Sequence, residues 1–186
     1  MLVVNDEKYA KRAEIVREKG TNRSAFFRGE IDKYGWVDIG SSFLPSDIIA
    51  AFLFAQLEHL DEIQKKRKML WNAYYQELKE LESAGRLILP HIPDYATNNA
   101  HMFYIILKDI ETRSRIIDTL KKNEIYPVFH YLSLHSSEYY APKHDGRELP
   151  NCDMFADCLV RLPLFYELSR ENVSYIIQKT KEFFVK

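Results

Sequence analysis

The chain is poor in cysteine, with two in 186 residues, and poor in glycine, with six. Cys152 and Cys158 are too few for a disulfide scaffold, and their spacing fits neither a zinc knuckle nor a redox pair. Charge of one sign is also missing. Twenty-six basic side chains against 27 acidic leave a net charge of −1. That excludes a strong field for a nucleic-acid backbone or an anionic lipid surface. The longest apolar run, Ile48 to Ala55, is far shorter than the roughly 20 residues of a bilayer span. Met1 to Lys8 lacks the basic start and apolar stretch of a signal peptide. The expectation is a cytoplasmic protein with no membrane span and no nucleic-acid partner.

What is present is enough apolar material for a core, 46% of the chain. Leu2 to Val4 reads as the end of a buried strand. A helix is expected over 6–19, after Asn5 as N-cap and with Tyr9, Ala13 and Val16 on one stripe. Residues 20–45 hold no steady period. Their interleaved aromatics, arginines and glycines suit a functional connection better than plain disorder.

From Ser46 to Ala84 there is no glycine or proline, which predicts one long helix ending at Gly85. Its start, Ile48 to Leu57, is apolar on every face and is expected to be buried on all sides or in an interface. The rest is amphipathic. Beyond it, strands are expected at 86–89, 101–107 and 125–130, and helices at 112–123, at 152–160 and after Ser169. Residues 131–150 read as a loop.

Six histidines raise a metal site from His130, His135, His144 and Cys152, but no pair has a zinc-motif spacing, and no metal is expected. Lys65 to Lys68 face different directions on a helix with acids beside them, which is a solvated face. Two segments keep open alternatives. Gly40 to Asp47 places hydroxyl groups before a helix N-terminus, suited either to a phosphate or to capping by Ser46. Val128 to His135 puts two histidines and a tyrosine where a strand meets a loop, either facing a ligand or as a surface pair.

The runs Arg12–Ser24, Phe27–Gly29, Asp38–Asp47, Asn99–Ile105, Val128–His135 and Arg161–Ser169 together closely resemble the C-terminal half of the DegT-type sugar-nucleotide aminotransferases. Within that family the likeness is greatest to the branch that makes dTDP-4-amino-4,6-dideoxygalactose. The resemblance implies an α/β chain, the C-terminal part of a fold-type-I pyridoxal phosphate (PLP) transferase. A long linking helix would join a small sheet covered by helices. Residues 1–45 would then be a remnant of the large PLP-binding domain, 46–84 the linking helix, and 85–186 the small domain.

The resemblance further implies amino transfer from an amino-acid donor to a nucleotide-linked 4-keto-6-deoxy sugar for lipopolysaccharide or common-antigen synthesis, in a homodimer. The family's Schiff-base lysine precedes the strand matching Leu2 to Val4 and has no counterpart here; nor has the aspartate that pairs with the pyridinium nitrogen. Fold-type-I chemistry needs that lysine as covalent anchor and proton-moving base. No catalytic residue is therefore assigned. The chain alone is expected to bind no PLP and to be inactive, with Met1 an internal position of a longer frame.

Ser42 matches the asparagine that reaches the partner's PLP phosphate, and an arginine often found two residues later is Leu44 here. His130 and Tyr131 match the family's pair at the substrate mouth, and His135 closes the same motif. Ser133 stands where proline is usual. Arg23 and Arg28 lie in a segment near the nucleotide-sugar, where guanidinium groups could meet the pyrophosphate. A non-catalytic dimerising or complementing subunit, or a small-ligand module using His130, Tyr131 and His135, are the other readings.

Overall fold

The computed structural model describes residues 2–185, so Met1 and its expected internal position lie outside them. It separates into two compact units, Met1–Glu58 and His59–Lys186.

The first unit begins with a 3₁₀ turn at Glu7–Tyr9, capped by the Asp6 side chain. Helix α1 (Ala10–Arg17), the short α2 (Arg23–Phe27) and α3 (Asp47–Glu58) follow. Isolated bridges join Glu18 to Ser42 and Thr21 to Trp36. Among the described residues of this unit only Gly20 is buried. Leu2 to Val4 form no strand and are exposed. A strand needs a ladder partner for its N–H and C=O groups, and none is present among the described residues.

The single long helix expected over 46–84 is two helices, α3 and α4 (Leu60–Ser83), separated at His59, whose φ of −104° and ψ of 13° leave the helical range. Gly85 ends α4 as expected, at φ +65°. Its N–H donates to the Glu82 carbonyl and the Arg86 N–H to Leu81, a paired closure of the last turn.

In the second unit, α4 is followed by β1 (Phe103–Ile106), α5 (Ile110–Lys121), β2 (Val128–Phe129), α6 (Pro150–Cys158), β3 (Leu159–Leu162) and α7 (Arg170–Val185). Strand order is β1-β3-β2, with both outer strands antiparallel to β3. Phe103 faces Leu162 and Val128 faces Arg161. The outer strands therefore run parallel to each other, with α5 as their crossover, a split β-α-β unit. The chain is thus a mixed α/β body, 52% helix with a small three-stranded sheet.

The core draws Leu70, Tyr74 and Leu78 from α4, Phe103 and Ile105 from β1, Ile116 and Leu120 from α5, Val160 from β3 and Val173 from α7. Tyr74 stacks on Phe103 with ring centroids 4.9 Å apart, and its hydroxyl donates to the Pro163 carbonyl at 2.9 Å. Burial pushes that phenol's pKa upward. The segment expected as a strand at 86–89 makes only one bridge, Ile88 to Ile106.

Candidate functional site

In the first unit two glycines set the local geometry. Gly20 has φ +76°, and a Cβ there would fall 1.7 Å from the Asp38 carbonyl oxygen. A Cβ on Gly40 would fall 2.1 Å from the Gly20 nitrogen. This close approach is available only without side chains. It lets Ser41 N–H donate to Val16 and Lys19 N–H donate to Ser41, laying 41–43 alongside the end of α1. Ser42 ends up exposed, bridged to Glu18.

The Glu18 carboxylate accepts from Arg23 at 3.2 Å and from Ser24 at 3.5 Å, so Ser42 and Arg23 meet through one residue. Arg23 also lies over the Phe27 ring, 5.1 Å from its centroid. Arg28 is held between two acids, Glu14 and Glu30, each at 2.6 Å. The hydrogen bonds from Arg28 hold both carboxylates below their ordinary pKa, and those acids raise the guanidinium's own. In this chain Arg28 is an internal clasp for the loop. A pyrophosphate at Arg28 would compete with that pair. The Ser46 hydroxyl accepts from the Ile49 N–H at 3.4 Å, the capping geometry.

In the second unit β2 delivers His130 and Tyr131 to the start of the loop, with ring centroids 5.4 Å apart. Tyr131 is exposed, 79%. His130 is half-buried, and its Nδ1 is buried with no hydrogen-bond partner. His135 follows in a 3₁₀ turn, Leu134–Ser136, with Nε2 2.9 Å from Asp153 Oδ1 on α6. The buried Ser133 donates to the same oxygen at 3.3 Å. The His144 ring lies 5.2 Å from that of His135.

The loop and α6 thus join Ser133, His135, His144 and Asp153 into one cluster. Asp153 escaped the sequence reading, since nothing in its spacing from His135 marks the contact. Among the described residues no three His, Cys, Asp or Glu side chains are placed to share a metal ion. A groove of 940 Å³ between α4 and α7, floored by Met69, Ala73, Val173 and Ile177, contains none of the site residues.

The model of the DegT/DnrJ/EryC1/StrS aminotransferase family matches residues 1–181. The chain belongs to this family. An uncharacterised protein of Methanocaldococcus jannaschii is 24% identical over 98% of the chain and 48% of its own length. DesV of S. venezuelae, solved in complex with a ketimine intermediate, shares 24% identity with a TM-score of 0.83, over 99% of this chain and 46% of DesV. A Streptococcus pneumoniae protein described as a sugar aminotransferase, in its PMP form, shares 23% identity with a TM-score of 0.78, over 97% of this chain and 46% of that one. The chain spans about half the length of the relatives it matches. The fold matches an aminotransferase fragment.

Aminotransferases of the family use PLP. The side chains present here do not fit its covalent anchorage. A Schiff-base lysine is activated by desolvation or a cationic neighbour. Among the described residues no lysine is buried. Lys181 is paired with Glu77 and Glu80, and Lys179 with Glu182, contacts that raise the pKa of both amines instead of lowering it. No helix among the described residues is long and apolar enough to cross a membrane.

Proposed function

We propose that this chain is the C-terminal part of a PLP-dependent sugar-nucleotide aminotransferase and does not transaminate by itself. The observation that carries the reading is the family match over residues 1–181 by a chain half as long as its relatives. In the complete enzyme Ser42 would contact the coenzyme phosphate across a homodimer. His130, Tyr131 and His135 of the second unit would contact the nucleotide-sugar, and Arg23 and Arg28 of the first unit would each be a candidate contact to its pyrophosphate. Residues 1–45 would belong to the large domain and 85–186 to the small one, joined by 46–84.

The substrate we favour is a dTDP-linked 4-keto-6-deoxy hexose, aminated by glutamate to dTDP-4-amino-4,6-dideoxygalactose for lipopolysaccharide or common antigen in the cytoplasm. The six ordered motifs quoted above support that branch. The test is direct: purified chain with PLP and borohydride is expected to yield no lysine adduct by mass spectrometry, and no amino transfer from glutamate. A stoichiometric adduct on one lysine, or measured transfer, overturns it.

One observation also favours a dimerising or complementing subunit. Ile48, Phe52 and Phe54 on α3 are 83%, 70% and 64% exposed. An apolar surface of that kind marks association. A monodisperse monomer in light scattering would remove this second reading.

A further inference from the structure

The cluster on α6 fixes more than the shape of the loop. A carboxylate oxygen only accepts hydrogen bonds, so the ring atom facing Asp153 Oδ1 at 2.9 Å carries the hydrogen. That atom is His135 Nε2, and in the neutral ring Nδ1 is then a bare lone pair. Among the described residues His135 Nδ1 has no partner, and it is not among the buried unpartnered atoms, unlike His130 Nδ1. His144 repeats the pattern. Its Nε2 faces the Arg147 main-chain oxygen at 3.0 Å, another group that only accepts. Two neighbouring imidazoles therefore have their hydrogens turned to the protein.

We propose that Asp153 is a positioning residue that holds His135 as the Nε2–H tautomer. The His135/His144 pair then offers lone pairs to its ligand and recognises hydrogen-bond donors, not phosphate oxygens. Given the function proposed above, the donors are the hydroxyls of the sugar or the imide N–H of a pyrimidine base. A phosphate would meet two acceptors and be repelled. Ser133 gives Asp153 a second donor and keeps the carboxylate aimed at the ring.

The experiment is long-range ¹H–¹⁵N imidazole spectroscopy of the full chain at a pH where both rings are neutral. The His135 Nε2 signal is expected as protonated and Nδ1 as bare. Asp153→Ala should average the two tautomers, and Asp153→Glu should restore the single one. Thymidine, a methyl 6-deoxyhexoside and inorganic pyrophosphate are then titrated separately. One or both neutral probes should move His135 Nδ1 saturably, about tenfold more weakly in Asp153→Ala. Which of the two acts tells base from sugar.

The proposal fails if His135 rests as Nδ1–H, or if Asp153→Ala leaves the tautomer unchanged. It fails also if pyrophosphate reproduces the shift, or if neither neutral probe moves it. The readout needs neither PLP nor amino transfer, so its failure leaves the aminotransferase reading standing, and the reverse holds.

Discussion

One side chain and one missing side chain set most of what single substitutions should do. At Gly20 the backbone φ is +76° and the Asp38 carbonyl occupies the space of a Cβ. Gly20→Ala is expected to cost about 1–3 kcal/mol locally, and to open 20–43 to limited proteolysis while the buried core of 59–186 persists. Tyr74 carries both packing and a hydrogen bond to Pro163. Tyr74→Phe leaves that carbonyl unpaired, a loss of about 0.5–1.5 kcal/mol in urea denaturation at neutral pH. The same phenol gives a pH dependence of definite sign. Burial raises its folded-state pKa above the unfolded value. Its contribution is fully present below about pH 10, the unfolded value. It is lost as pH climbs further, because only the unfolded chain then releases the proton. Tyr74→Phe should flatten the alkaline fall in the urea midpoint; an unchanged slope would count against the assignment.

Helices show where local chemistry decides structure. Asp109 caps α5 by accepting the Thr112 N–H at 2.7 Å, a bond that holds its carboxyl below the usual pKa. Stability from this cap is present above the ordinary aspartate pKa and is lost as pH falls through the lower, folded one. Asp109→Ala should lower the melting temperature by circular dichroism, and Asp109→Asn should retain most of it. The cores of α4, α5 and α7 were legible because Leu70, Tyr74 and Leu78, Ile116 and Leu120, and Val173 and Ile177 recur at helical spacing between clear stops. Strand β3 was not. Leu159–Leu162 follows α6 directly, with no turn residue between Cys158 and Leu159, so its apolar run read on as helix. The break at His59 has no glycine or proline to announce it. At the site, His130, Tyr131 and His135 were visible as a polar cluster after a strand. Asp153 was not, because a contact made by folding leaves no period in the sequence.

At the scale of the molecule the apolar material is divided unevenly. The buried core of large side chains runs from Leu70 to Ile177, within the second unit, whereas α3 displays Phe52 and Phe54 to solvent. On the reading that this face of α3 carries the association proposed above, replacing both with glutamate should leave a monomer in light scattering and the urea midpoint of the core unchanged. The strand order has a consequence in time. β1 and β2 are not paired with each other; within the sheet each is joined to β3, which begins 30 residues after β2 ends, at Leu159 against Phe129, and β1 has besides only the single bridge from Ile88 to Ile106. A ribosome making about 5–20 residues per second therefore holds both outer strands without their shared sheet partner for seconds before the middle one emerges. Translation speed across that stretch, and any chaperone waiting at the exit tunnel, should govern how much of this chain reaches its native state.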